Sequence, residues 1–148
     1  MEMSDIIAAL ISFIMIILTT TINYEITRLI WRVLDHTKKR PRYLINLVVL
    51  TIFFAHTLSV WLYAIAFWIA DHRLHIGSLG GNEGNGFMTY VYFSAATYSS
   101  LGIGDVFPTG SLRMITGVEV LNGLLLIGWS VTITYFSMQR FWNFHEKE

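Results

Sequence analysis

Three long apolar runs and one short one divide the chain. Residues 5–22, 44–70 and 112–138 consist almost entirely of apolar side chains, and a helix needs about 20 such residues to cross a bilayer. Residues 87–99, FMTYVYFSAATYS, are also apolar and aromatic, but this run is too short to span. The pattern therefore predicts three membrane-spanning helices and one shorter helix that enters the membrane and turns back.

Composition supports this interpretation and excludes several classes of protein. Of the 148 residues, 54% are hydrophobic and only 14% are charged, which is unusual for a soluble domain. The chain has no cysteine, so disulfides and thiolate metal sites are excluded. No nucleophile, metal-ligand cluster or carboxylate pair converges in the sequence. We expect an all-α membrane protein that is not an enzyme and has neither a cofactor nor a nucleic-acid partner.

Basic residues predict the orientation, because they cluster between the first and second apolar runs. The cluster consists of Arg28, Arg32, Lys38, Lys39, Arg40 and Arg42. Loops rich in Lys and Arg face the cytoplasm. We therefore expect a multi-pass protein of the cell (inner) membrane with its N-terminus outside and its C-terminus in the cytoplasm. Residues 71–86, which include the glycine-rich stretch 76–86, are expected to form a flexible outer loop.

Residues 23–38 continue the first apolar run with an amphipathic pattern. One interpretation is a separate helix that lies on the inner leaflet, where its basic residues meet anionic lipid headgroups. The other is a cytoplasmic extension of the first spanning helix. Residues 1–42 are accordingly expected to form a transmembrane helix followed by this basic amphipathic segment.

The short helix is followed by a segment with two glycines and a carboxylate, YSSLGIGDVFP at residues 98–108. Backbone carbonyls that line a narrow axis can replace the hydration shell of a cation if successive carbonyls point inward. That arrangement needs positive φ at intervals, which Gly102 and Gly104 adopt without a Cβ penalty. Leu101 and Ile103 are expected to keep ordinary angles. The C-terminal end of the short helix carries the negative end of its dipole and would favour cations.

The stretch SSLGIGD resembles the Thr-Thr-Val-Gly-Tyr-Gly-Asp selectivity filter of the tetrameric potassium-channel superfamily. The resemblance covers residues 44–142 and is strongest to the short bacterial two-transmembrane channels, here with an extra N-terminal helix. It implies a pore domain at residues 43–148. Its parts are an outer helix 44–70, an outer loop 71–86, a pore helix 87–99, a filter 100–105 and an inner helix 112–142.

The resemblance also implies the ion-binding residues and the assembly. Potassium would bind at Ser100, Leu101, Gly102 and Ile103, through the Ser100 hydroxyl and through backbone carbonyls, with the Gly104 carbonyl completing the filter. One filter strand cannot enclose an ion, so a homotetramer is implied. Membrane lipids are the other expected partners, with anionic lipids as the hypothesis for the basic segment.

Five positions are expected to support the filter, namely Asp105, Tyr92, Phe93, Thr97 and Glu119, and the main departures from the family are at Ile103 and Phe93. Asp105 occupies the position of the acid at the outer mouth. Tyr92 replaces the tryptophan that braces this acid and is expected to donate its hydroxyl instead. Ile103 replaces the family tyrosine and Phe93 its tryptophan partner, which predicts an apolar cuff. A potassium-selective channel is the leading interpretation; a weakly selective or nonselective cation channel and a non-conducting protein with a channel-like scaffold are the alternatives.

Polar side chains inside the spans need partners. Glu119 is expected to face the protein and bond the pore helix near Ser94 or Thr97, either as a structural contact or as a protonation-sensitive filter support. His56 is expected to find its partner on the third span, with Asn122 as the best match in depth.

Two glycines in the third span have two interpretations. Gly123 occupies a position where the family often has a hinge glycine, and Gly128 follows it. A glycine in a spanning helix serves equally for close packing between helices. Both residues are therefore candidates for a gating hinge or for packing.

Overall fold

The computed structural model describes residues 2–36, 41–81 and 86–142, and within these ranges the chain forms four helices and two short strands. In chain order they are α1 (Met3–His36), α2 (Pro41–His72), β1 (Leu79–Gly81), α3 (Phe87–Tyr98), β2 (Val106–Pro108) and α4 (Leu112–Trp142).

Three of these helices are long and apolar enough to cross a membrane. The qualifying parts are Met3–Leu34, Tyr43–His72 and Leu112–Arg140, with 32, 30 and 29 residues. At about 1.5 Å per residue, each exceeds a hydrocarbon core of about 30 Å. Helix α3 has 12 residues and reaches only about 18 Å. The predicted all-α fold, with three spans and one short helix, is confirmed.

Helix α1 runs without interruption from the first apolar run through the amphipathic segment. This geometry corresponds to an extended first helix rather than to a separate helix on the inner leaflet. Near its end Arg28 and Glu25 form an exposed ion pair at 3.5 Å. The predicted basic residues at positions 38–40 lie outside the described residues.

Helix α1 packs against both α2 and α4. Near its start, the Ser111 hydroxyl, just before α4, donates to Asp5 Oδ1 at 3.0 Å. Deeper in the bundle, Asn23 Nδ2 donates to Ser59 Oγ of α2 at 3.2 Å. The extra N-terminal helix is therefore part of the same bundle, and its first turn lies on the same side as the start of α4.

The main core surrounds α3. Phe67 of α2 packs edge-on against Phe93 of α3, with ring centroids 5.1 Å apart. The neighbouring fully buried side chains are Tyr63, Leu112 and Ile115. A smaller cluster joins the end of α1 to the start of α2 and consists of Ile30, Leu34, Leu44 and Val48. In the main core, α2 and α4 thus both hold the short helix α3 through apolar contacts.

Part of the predicted flexible outer loop is ordered, because strands β1 and β2 pair antiparallel. Leu79 lies opposite Pro108, and Gly81 lies opposite Val106. A strand of three residues is too short to give a periodic pattern in the sequence, so the prediction of a flexible loop missed it. The ladder ties the chain before α3 to the chain that leaves the segment after α3.

Candidate functional site

The segment after α3 alternates in backbone handedness. Ser100, Gly102 and Gly104 have φ of 59°, 54° and 87°, and neither Leu101 nor Ile103 between them has positive φ. Positive φ was predicted at the two glycines. At Ser100 it is uncommon for a residue with a Cβ, and sequence reasoning missed it. Such alternation is what turns successive carbonyls toward one side of the chain.

Backbone hydrogen bonds fix the start of this segment to the end of α3. The Ser100 N–H donates to the Thr97 carbonyl at 2.9 Å, and the Leu101 N–H donates to the Ala96 carbonyl at 2.9 Å. Thr97, a predicted support, therefore acts through its backbone as well as by burial. The first residues of the segment are therefore hydrogen-bonded to the last turn of the short helix.

Both oxygens of the Asp105 carboxylate are engaged. Tyr92 donates its hydroxyl to Asp105 Oδ2 at 2.8 Å, and the Val106 N–H donates to Oδ1 at 3.0 Å. The Tyr92 contact joins α3 to the far end of the segment. It is the brace that the sequence predicts at this position.

A groove of about 310 Å³ lies behind the segment. Phe93 and Ile103 both line it, as do Thr116 and Val120 of α4. Phe93 is buried, but Ile103 is 56% exposed in a single protomer. The two residues of the predicted apolar cuff thus border the same groove, and the cuff itself stays a prediction.

Glu119 lies fully buried at the interface of α4 and α3. Its Oε1 is 2.5 Å from the Ser94 hydroxyl oxygen, and that oxygen is 2.9 Å from the carbonyl oxygen of Val60 in α2. Glu119 Oε2 has no hydrogen-bond partner in the described part of the chain. Glu119 of α4 thus contacts the short helix α3 at Ser94, which is one of the two positions that the sequence predicts.

His56 joins three helices, but not through the predicted residue. Its Nδ1 hydrogen-bonds to the Tyr98 hydroxyl at 2.9 Å, and its Nε2 hydrogen-bonds to Ser130 Oγ of α4 at 2.9 Å. The predicted partner, Asn122, is bonded elsewhere, so that prediction is wrong. The prediction considered only how deep each residue lies in the membrane along α2 and α4. Tyr98, the last residue of α3, also reaches His56.

Asn122 instead forms a buried polar contact with the N-terminal helix. Its Nδ2 donates to Thr19 Oγ1 of α1 at 2.7 Å and to the Tyr63 hydroxyl of α2 at 3.0 Å. All three side chains lie within the spans. The level of Asn122 is therefore a point at which α1, α2 and α4 are held together.

The two candidate hinge glycines have different surroundings. A Cβ at Gly123 would be 2.2 Å from the Tyr98 carbonyl oxygen, whereas one at Gly128 would meet nothing within 4 Å. Gly123 thus allows α4 to approach the end of α3. Gly128 has no comparable packing constraint within the described protomer.

The glycine-rich outer stretch contributes to the far end of the segment, which sequence reasoning missed. Gly81 has φ of 141°, and a Cβ there would be 2.2 Å from the Asp105 carbonyl oxygen. Only a residue without a side chain lets β1 approach Asp105 this closely. The density of glycines in residues 76–86 was the available signal.

Comparison with known proteins gives one result. A family model described as "Ion channel" matches residues 48–140. Curated proteins and solved structures gave no match. The matched range contains the short helix, the alternating segment, most of α2 and nearly all of α4, and it leaves out α1.

Proposed function

The chain belongs to the ion-channel family whose model matches residues 48–140, and from this premise we propose that it is a potassium-selective channel. It is a multi-pass membrane protein of a non-enzymatic transport class. In the proposed mechanism, ions move down their electrochemical gradient through a filter of backbone carbonyls.

The alternating backbone of residues 100–104 is the observation that carries this proposal. The carbonyls of Leu101, Gly102, Ile103 and Gly104, together with Ser100, would replace the water around a dehydrated potassium ion. The C-terminal end of α3 points its partial negative charge at the start of this segment, which favours a cation there. Bracing by Tyr92 and Glu119 would keep the segment from collapsing when no ion is bound.

Four subunits are needed for such a filter, because one strand encloses nothing. Channels of this family generally assemble as oligomers. In one protomer Leu101 is 67% exposed, and the α4 residues Leu121 and Leu125 are also exposed. A fourfold ring would cover apolar filter side chains that a single chain leaves uncovered.

The proposed orientation places the filter mouth outside and the end of α4 in the cytoplasm. The Asp5 to Ser111 contact supports a common side for the N-terminus and the filter exit. Arg28 and Arg32, with the basic residues that follow, would then face the inner leaflet. We propose that anionic headgroups bind there; activity that needs anionic lipid equally after neutralisation of Arg28 and Arg32 would contradict this.

The reversal potential is the decisive measurement for selectivity. The purified protein is placed in planar bilayers with potassium on one side and sodium on the other. A value near the potassium equilibrium potential is the expected result. Gly102→Ala should abolish the current, because an alanine with φ of 54° is strained. Gly86→Ala is the matched control, since Gly86 has φ of −79° and open space around it.

A weakly selective cation channel is the second candidate, and Ile103 is the observation that favours it. Its side chain has no hydroxyl with which to hold the width of the filter by hydrogen bonding. A large current that reverses near zero would establish this candidate. Silence under varied lipid, pH and tension would favour the non-conducting scaffold.

A further inference from the structure

The Ser94 hydroxyl lies between two oxygen atoms from two different helices. Its Oγ is 2.5 Å from Glu119 Oε1 of α4 and 2.9 Å from the Val60 carbonyl oxygen of α2. Both distances are those of hydrogen bonds. A serine hydroxyl carries one hydrogen and a carbonyl carries none. Ser94 can donate this single hydrogen to either oxygen. For both contacts to be two-centre hydrogen bonds, a second hydrogen is needed, and of the three groups the Glu119 carboxyl is the one that can carry it.

We propose that Glu119 is a proton-binding site that holds its proton at neutral pH. The neutral acid donates from Oε1 to Ser94 Oγ, and Ser94 donates its own hydrogen to the Val60 carbonyl. The result is a directed chain of two hydrogen bonds that joins α4, the short helix α3 and α2. The chain passes through the middle of α3, the helix that leads into the segment proposed as the filter.

An ionised Glu119 would not fit the same atoms. The carboxylate would accept the hydrogen of Ser94, and Ser94 Oγ would then face the Val60 carbonyl at 2.9 Å with no hydrogen between them. Oε2 would carry negative charge in a fully buried position without any donor in the described part of the chain. An uncompensated carboxylate in a membrane interior is costly, whereas an unpaired oxygen of a neutral acid costs much less.

The groups that face Glu119 do not supply a counter-charge. Tyr63 from α2 and Tyr98 from α3 are the titratable side chains that interact with it electrostatically. Helix α1 reaches this level with Thr19, which does not titrate. In the described ranges no Lys, Arg or His forms an ion pair with Glu119. These neighbours therefore supply no positive charge that would stabilise a carboxylate at this position.

The proton makes this contact sensitive to alkaline pH. Loss of this proton at alkaline pH would remove the chain of hydrogen bonds. Ionisation would also place a negative charge behind the short helix. Loss of the Ser94 contact would remove one of the contacts that join α3 to α4.

Infrared spectroscopy of the full chain in lipid membranes tests the protonation without any need for conduction. The difference spectrum between wild type and E119Q at about pH 7 is expected to show the C=O stretch of a protonated carboxyl, although an ordinary glutamate with a pKa of about 4.3 would be ionised there. Bands of a carboxylate alone would overturn the proposal. S94A provides a second comparison that retains Glu119. The S94A substitution should shift the band of the protonated carboxyl. A shift of carboxylate bands alone would overturn the proposal.

The effect on the pore rests on the proposed function and has its own readout. Wild-type potassium current is expected to fall as the pH becomes alkaline. E119Q should lose this decline, because its amide donates to Ser94 at every pH. An equal decline in E119Q would assign the effect to other groups, such as Tyr63 and Tyr98, and overturn the functional part. If no variant conducts, the proposed function fails, while the infrared result still decides the protonation of Glu119.

Discussion

The carbonyl oxygen of Tyr98 lies directly against the α-carbon of Gly123, so closely that a methyl group there would be 2.2 Å from the oxygen. Tyr98 is the last residue of α3 and precedes the alternating segment by one residue, Ser99. The inner helix and the start of the proposed filter therefore touch backbone to backbone. We therefore expect a change in the position of α4 at this level to reach the proposed filter without any intervening side chain.

Replacement of Gly123 by alanine should separate α4 from the end of α3. The obstacle is a backbone atom that cannot rotate away, so we expect a loss of about 1–3 kcal/mol in stability and a reversal potential shifted toward zero. Thermal unfolding and bilayer recordings measure the two effects. Gly117→Ala in the same helix is the matched control, because its Cβ would meet nothing within 4 Å. Equal stability of the two variants would contradict the packing role.

Gly128 is the position at which we expect α4 to bend if the pore has a hinge. Alanine there meets nothing within 4 Å in the protomer and raises helix propensity by about 1 kcal/mol. Gly128→Ala should therefore fold normally but lower the fraction of time that single channels are open, with unchanged conductance. Gly117→Ala again serves as the control for an added methyl group. An unchanged open probability in Gly128→Ala would exclude a hinge at this residue.

The hydrogen bond from Tyr92 to Asp105 should hold the outer end of the filter. Tyr92→Phe keeps the ring and removes the hydroxyl that donates to Asp105 Oδ2. A hydrogen bond to a charged group is worth about 1.5–3 kcal/mol. We expect the current to decay faster during sustained recording, as the filter leaves its conducting shape more readily. Tyr24→Phe, which removes an exposed hydroxyl of α1, should leave the decay unchanged. Equal decay in both variants would show that the brace has no role in conduction.

The sequence predicts the long elements and the sites that depend on local chemistry. Apolar runs of sufficient length determine three spans, and the short run at 87–99 determines α3, because the bilayer sets the length of each element. The positive φ at Gly102 and Gly104 follows from the absence of a Cβ. The Tyr92 position follows from the resemblance to known filters.

Contacts between elements were harder to predict from the sequence. His56 bonds to Tyr98 and Ser130 rather than to Asn122, because depth along a helix does not specify which face a side chain occupies or which third helix is near. The pairing of β1 with β2 has too few residues to leave a pattern. Ser100 has positive φ where its N–H bonds to the end of α3. Residue propensities do not include such a contact, so they do not predict this angle.

The contact between Asn122 and Thr19 should make α1 a structural part of the pore domain. Asn122→Ala removes the amide that donates to Thr19 and Tyr63, which leaves two buried hydroxyls short of a donor. Each such loss costs about 1–3 kcal/mol. We expect a lower unfolding temperature, whereas Asn46→Ala, at an exposed position of α2, should have little effect.

A double-mutant cycle with Thr19→Val separates this contact from the other effects of removing Asn122. If the two side chains interact, the loss in free energy of unfolding in the double variant should be smaller than the sum of the two single losses by about 0.5 kcal/mol or more. Additive losses would mean that Asn122 acts through Tyr63 alone and that α1 is attached mainly by its apolar face. Coupling would instead make α1 a helix whose displacement disturbs α4 one residue before Gly123, where α4 meets the carbonyl of Tyr98 at the start of the filter.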